Sequence, residues 1–265
     1  PVLDLGMKDF RDPKVFWHEG SGQWVMVVVL PDERAALFYG SPNLREWTLM
    51  SRFEAPFEGQ GIWECPDLIE LPCEDGGTVW MLKVDALGGH PSGETGARIF
   101  FGQFDGSSFT ADAEEAPRWA DHGSDFYAAL SFANLHASPT SAQPVWLAWM
   151  SCHRYAKHVP TTPWRGAMSV PRALSARRPG AHAPWQLVQA VVPTLQSLRG
   201  EPSRWSAIRL NNSATIVHSM QAQGEHEGLC AEIELSVLQA QGEFGVMLAF
   251  SMRTMDQSHA ETEAE

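Results

Sequence analysis

Short apolar runs recur along the first part of the chain, punctuated by turn-forming residues. The runs are Lys14–His18, Trp24–Leu30, Ala35–Tyr39, Leu68–Leu71, Val79–Val84, Arg98–Phe104, Tyr127–Phe132 and Val145–Met150. Between them lie Glu19-Gly20-Ser21-Gly22, Ser41-Pro42-Asn43, Glu74-Asp75-Gly76-Gly77 and Phe104-Asp105-Gly106. The last carries an Asp-Gly pair of the kind that reverses a hairpin. Before residue 180, no stretch of about ten residues repeats its apolar positions with a helical period. The pattern predicts an all-β chain of short, evenly spaced strands, which a sandwich, a barrel or a propeller would satisfy. Aromatic strand pairs and polar loops alternate in a loose repeat of about 45 residues, near the length of one propeller blade.

The texture changes between residues 175 and 193. Ser175-Ala176-Arg177-Arg178-Pro179-Gly180-Ala181-His182-Ala183-Pro184 is small, basic and proline-bearing, and reads as a connection. Beyond Pro193, Ala207–Leu210, Ala214–His218, Leu229–Leu235 and Gly242–Phe250 alternate as sandwich strands do. The expected division is residues 1–178, a linker over 179–192, and a second β unit over 193–265. That second unit is shorter than a complete sandwich of about 100 residues.

Charge and composition narrow the function. The chain carries 32 acidic against 19 basic side chains, a formal net charge of -13. Such a surface repels a polyanion, so nucleic acid is not the expected partner, whereas a neutral sugar feels little of the field. Hydrophobic residues at 44% allow a sizeable core. No apolar run is long enough to span a membrane as a helix. The eleven Trp and thirteen Phe serve core packing first. Trp also offers a platform to the C–H faces of sugar rings, and composition does not separate the two uses. Cys65, Cys73, Cys152 and Cys230 are spaced for neither zinc nor a CxxC redox pair, so they are expected as buried or free thiols. His18, His90, His122, His136, His153 and His158 are scattered without metal spacing, and there is no phosphate loop and no G-x-S-x-G elbow. The sequence therefore calls for no cofactor and no metal. Asn211-Asn212-Ser213 is a formal glycosylation sequon.

Two acidic motifs carry the candidate chemistry. Arg11-Asp12-Pro13 runs into Lys14-Val15-Phe16-Trp17, and Trp63-Glu64-Cys65-Pro66-Asp67 runs into Leu68-Ile69-Glu70-Leu71. Each sets a carboxylate beside an aromatic ring at the mouth of an expected strand. Two carboxylates facing one pocket are the minimal equipment for breaking a glycosidic bond. Two readings of Glu64 stand at this point: a carboxyl desolvated by Trp63 and suited to general acid work, or a surface Glu at a strand start. Asp12 has two as well. Beside Arg11 it is held ionised, as charge stabilisation or hydroxyl binding requires, or it belongs to an Asp-Pro turn with a local ion pair. Pro13 cannot pair in a ladder and marks the start or edge of a strand.

The wording of these blocks resembles glycoside hydrolase family 32, the β-fructofuranosidases that include invertases, exo-inulinases and levanases. Phe10-Arg11-Asp12-Pro13-Lys14-Val15-Phe16-Trp17 resembles the R-D-P block, and Tyr39-Gly40-Ser41-Pro42-Asn43-Leu44-Arg45-Glu46-Trp47 an S-x-N-L-x-x-W turn. Ile62-Trp63-Glu64-Cys65-Pro66-Asp67-Leu68 resembles the W-E-C-P-D block, and Gly102-Gln103-Phe104-Asp105-Gly106 a G-x-F-D-G hairpin. Asp125-Phe126-Tyr127-Ala128 resembles D-F-Y-A. Trp149-Met150 and Val159-Pro160-Thr161-Thr162-Pro163-Trp164-Arg165-Gly166-Ala167-Met168-Ser169 resemble the segment near the end of the family's propeller.

The resemblance implies a five-bladed β-propeller followed by a β-sandwich, here with the first blade missing and the sandwich partial. It implies a retaining hydrolase acting on fructan (levan or inulin) or sucrose, with two carboxyl groups about 5 Å apart across the bond. It makes Glu64 the general acid/base and Asp12 the transition-state stabiliser with Arg11 beside it. Asp125 and Tyr127 become pocket residues. The family's nucleophile is an Asp in an N-D-P-N-G block upstream of R-D-P, and neither Asp4 nor Asp9 sits in such a block. The chain is therefore expected to be a fragment without its nucleophile, and inactive by itself. A carbohydrate-binding remnant and a fructosyltransferase of the same fold are the other readings. Cys152-His153 stands where many members have Asn-Trp, which makes His153 a substrate-facing residue with altered stacking. A fructan-degrading parent is expected to be secreted or periplasmic. The sequence sets no oligomeric state.

Overall fold

A computed structural model describes residues 1–55, 61–93, 95–112, 118–133, 143–180 and 183–201. The chain divides into two compact units, Pro1–Leu198 and Arg199–Glu265. The four strands expected beyond residue 206, together with Cys230, His136 and the Asn211 sequon, lie outside the described residues.

The first unit is built from three antiparallel sheets. The first contains β1 (Lys14–His18), β2 (Gln23–Leu30), β3 (Ala35–Ser41) and β4 (Thr48–Glu54). The second contains β5 (Ile62–Pro72), β6 (Thr78–Leu87), β7 (Thr95–Phe104) and β8 (Phe109–Ala111), with β9 (Arg118–Trp119) also pairing with β7. The third contains β10 (Tyr127–Ser131), β11 (Val145–Trp149), β12 (Arg172–Arg177) and β13 (Gln186–Val191). Each sheet pairs its strands antiparallel in chain order; short turns join most neighbours in the first two sheets, whereas longer connections over residues 132–144 and 150–171 join β10 to β11 and β11 to β12 in the third. The turn at Asp105 is typical: its Oδ1 accepts the N–H of Ser107 and of Ser108, both at 2.8 Å.

Alternation along β6 explains how the sheets stack. Leu82, Val84 and Ala86 enter one core with Val25, Val27, Val29, Phe38, Trp63 and Phe100. Val79 and Met81 point the other way, into a second core with Ile69, Leu71, Phe101, Phe126, Trp146 and Leu174. The second sheet is thus covered on both faces, which is why its strands read as nearly continuous apolar runs. Burying a ring such as Phe38 or Trp146 contributes about 2–3 kcal/mol each. Backbone bonds between sheets are few; Trp63 N–H donates to Pro31 O at 3.1 Å, and Glu74 N–H to Ala176 O at 3.0 Å.

Several expectations are corrected. β5 starts at Ile62 rather than Leu68, and it contains Pro66. The pairing of β5 with β6 slips between Glu64 and Asp67, and a bulge there removes the need for a proline N–H. β4, β8, β9, β12 and β13 were not anticipated. β4 reads TLMSRFE, in which Phe53 is the buried position and the rest are exposed or half-buried, without a regular apolar alternation. β13 lies inside the stretch read as a linker, and pairs along its whole length with β12 from Arg172↔Val191 to Arg177↔Gln186. It reads QLVQAV and is an outer strand with half-buried and exposed positions. Among the described residues, no helix is long and apolar enough to cross a membrane.

Candidate active site

The first strand of each sheet supplies the site. β5 packs against β1 on one side and β10 on the other. Arg11 and Asp12 precede β1, Glu64 is near the start of β5, and Tyr127 begins β10. Side chains at the first strands of three sheets thereby converge, from segments far apart in sequence.

Glu64 is the hub. Arg11 Nη2 donates to its Oε1, and Tyr127 O–H donates to its Oε2. Its side chain is 14% exposed, so Glu64 is not sealed from solvent. Hydrogen bonding to Glu64 raises the Arg11 guanidinium further above its ordinary value, and Arg11 is also 3.0 Å from Asp9 Oδ1 and 3.8 Å from Asp12 Oδ2. Burial and the bond to Glu64 push the Tyr127 phenol upward, so it stays protonated and donating.

Asp12 Oδ2 accepts from Cys65 N–H at 3.3 Å and lies 3.4 Å from Cys65 Sγ. Asp12 therefore binds the residue next to Glu64. Burial pushes the Cys65 thiol up to about 12, against the pull of the Lys83 ammonium, so it is not a nucleophile at neutral pH. Asp12, Cys65 and Ala128 all have left-handed backbone, at φ 63, 44 and 53. Such conformations are costly for non-glycine residues and gather where a site over-determines them.

A polar layer lies beneath. Lys14 Nζ is 3.2 Å from Asp67 Oδ1 and donates to Ser131 O and Oγ, while Ser131 N–H donates to Asp67 Oδ2 at 2.6 Å. Lys83 and Asp85 form a second pair behind Glu64. Ser131, Lys83 and Asp85 were not singled out from sequence, whereas Lys14 and Asp67 entered only as part of their motifs. The available signal was Lys83 and Asp85 two apart inside the apolar run Val79–Leu87, which puts two charges on one strand face.

His153 and Asp125 are placed differently. The exposed His153 ring sits edge-on to Tyr127, with centroids 5.2 Å apart, and to Trp149 at 5.3 Å. It thus stands one ring away from Glu64. Gly166 closes this corner: its φ is +82, and a Cβ there would come within 2.7 Å of Trp149 Nε1. Asp125 is exposed, and its side chain accepts from Ser124 Oγ at 3.4 Å. No described contact joins it to Glu64 or Asp12. Among the described residues, no three His, Cys, Asp or Glu side chains gather as a metal would require.

Comparison with known proteins gives this arrangement a family. Residues 1–189 match the model of the family described as Glycosyl hydrolases family 32 N-terminal domain. The chain belongs to glycosyl hydrolase family 32. A levanase of Bacillus subtilis (strain 168) is 38% identical over 261 residues, covering 96% of this chain and 36% of the levanase. An extracellular exo-inulinase of Aspergillus awamori is 38% identical over 186 residues, 66% of this chain and 34% of that protein. Among solved structures, a fructofuranosidase from Schwanniomyces occidentalis complexed with fructose aligns with a TM-score of 0.66 at 38% identity, over 73% of this chain and 38% of that one. The chain spans about a third of the length of these relatives. Every candidate residue of this family 32 chain, from Arg11 to His153, lies within the matched span.

Proposed function

We propose that this site is the acid/base side of a retaining fructosidase centre that releases terminal fructose from levan, inulin or sucrose. The carrying observation is the double hold on Glu64. Arg11 and Tyr127 each donate to one of its oxygens, which fixes the carboxyl, and the side chain keeps some exposure to solvent. In this reading Glu64 protonates the leaving glycosidic oxygen and then takes a proton from the incoming water. Asp12, beside Arg11, accepts fructose hydroxyls and stabilises the oxocarbenium-like transition state. Tyr127 and His153 wall the pocket, and Asp125 is a further candidate substrate-binding residue on an exposed segment. The three sheets are read as consecutive blades of the five-bladed propeller, with residues 193–265 as part of a sandwich.

Retention needs a nucleophilic carboxylate opposite Glu64. Asp12 is engaged with Cys65, and Asp85 is fully buried. We assign the nucleophile to the aspartate of an N-D-P-N-G block, which residues 1–265 do not contain. These residues are then expected to bind a fructosyl oligosaccharide without turning it over. Calorimetric titration should show saturable binding that Asp12→Ala or Glu64→Ala weakens about tenfold, the scale of one lost charge-assisted hydrogen bond. Absence of binding to any fructosyl ligand would overturn the reading. Retaining hydrolysis above a Glu64→Gln control would overturn the assignment of the nucleophile.

A further inference from the structure

Beneath Cys65 lies a pair of opposite charges that the hydrolytic reading leaves unused. Lys83 and Asp85 share one face of β6, and both side chains are 0% exposed. Lys83 Nζ donates to Asp85 Oδ2 at 2.6 Å and to the Cys65 carbonyl at 2.8 Å. The N–H of the same Cys65 is donated upward to Asp12. Cys65 is thus gripped from both sides, Asp12 above and Lys83 below, at the bulge where the β5–β6 register slips. Its backbone is left-handed, a state that persists only where surroundings impose it.

Packing does not account for this pair. Taking two ions out of water is costly, and two apolar side chains of similar volume would commonly serve stability as well or better. Asp85 Oδ1 has no hydrogen-bond partner among the described residues, which adds to that cost. What the pair supplies is a rigid donor aimed at one carbonyl. We propose that Lys83 and Asp85 are positioning residues: Asp85 orients Lys83, Lys83 holds the Cys65 carbonyl, and the bulge so fixed presents Glu64 and the N–H that Asp12 accepts. The inference rests on the reading of Glu64 and Asp12 as the sugar-facing groups.

The surroundings make the device sensitive to pH. Asp85 faces Glu64 across the ladder and Lys83 on its own strand, with Asp67 and Cys65 on β5 and Tyr127 on β10. Arg11 lies beyond Glu64, and Lys14 of β1 beyond Asp67. Burial pushes the Asp85 carboxyl up to about 7, opposed by Lys83 and reinforced by Glu64 and Asp67. The grip on Lys83 therefore changes in charge near neutrality.

The test follows the Cys65 amide by NMR in the 15N-labelled chain. In wild type its chemical shift should step as Asp85 titrates, with a midpoint near 7. In Asp85→Asn the step should vanish. The double variant Lys83→Met/Asp85→Leu should melt close to wild type, yet its Cys65 amide should exchange with solvent at least about tenfold faster. A step that persists in Asp85→Asn, no step in wild type, or wild-type exchange in a folded double variant would each overturn the proposal. If the double variant fails to fold, the Asp85→Asn titration decides. None of these readouts needs a sugar, so absence of fructosyl binding would defeat the hydrolytic reading without being mistaken for failure of this one.

Discussion

Tyr127 shows how much one hydroxyl does in this site. It is buried, its phenol is pushed upward, and its proton is therefore reserved for Glu64. Tyr127→Phe removes a bond to a charged acceptor and is expected to cost about 1–2 kcal/mol. Urea unfolding should show a lower midpoint with an unchanged slope. That Glu64, Asp12 and Arg11 would lie together was legible in the sequence because their motifs are long and specific. Lys83 and Asp85 were not singled out. A charge inside an apolar run is ambiguous until the opposite face of its strand is known, and β6 proved to be covered on both faces. Asp125 illustrates the reverse: its motif singled it out, while its exposed side chain meets only Ser124 among the described contacts.

At the scale of elements, apolar runs gave β1, β2, β3, β6, β7, β10 and β11, and missed β4, β8, β9, β12 and β13. β2, β3, β6 and β7 are buried along most of their length, so their hydrophobic runs are unambiguous. β4 is an outer strand whose exposed positions dilute that signal, whereas the apolar residues of β13 closely follow the proline- and glycine-bearing stretch 179–184, whose texture reads as a connection. Bulges are equally silent in sequence, which is why Pro66 concealed the start of β5. The elements also differ in what they hold together. Trp146 is fully buried between the second and third sheets, beside Phe126 at 5.5 Å between ring centroids. Trp146→Ala is expected to destabilise the unit by about 3–5 kcal/mol through the cavity it leaves. Thermal unfolding followed by near-ultraviolet circular dichroism would register that loss.

For the molecule as a whole, Asp85 ties stability to pH. Its ordinary value is 3.8 and its folded value about 7. Between these values the unfolded chain has released a proton that the folded chain keeps. The unfolded state binds fewer protons, so stability falls as pH rises through this window, and the contribution is fully present only below it. Asp85→Asn abolishes that titration. The decline in Tm on going from mildly acidic to neutral pH should therefore be shallower in Asp85→Asn than in wild type, as differential scanning calorimetry would measure. Equal slopes would mean that Asp85 ionises in the fold as it does in the unfolded chain. The same whole-molecule view bears on surface behaviour: a net charge of -13 keeps copies apart, while Leu130, Phe132, Met168, Val170 and Val191 of the third-sheet region remain exposed.

The convergence of Arg11, Glu64 and Tyr127 at the first strands of three successive sheets has one more consequence. Among the described residues those sheets share only a few backbone hydrogen bonds, and side chains interlock between them in two buried clusters. The pocket therefore works as a vernier. A slide of one sheet too small to disturb its own ladder displaces one of the three side chains relative to the others, so drift in the distant packing layers is written directly into the spacing around Glu64.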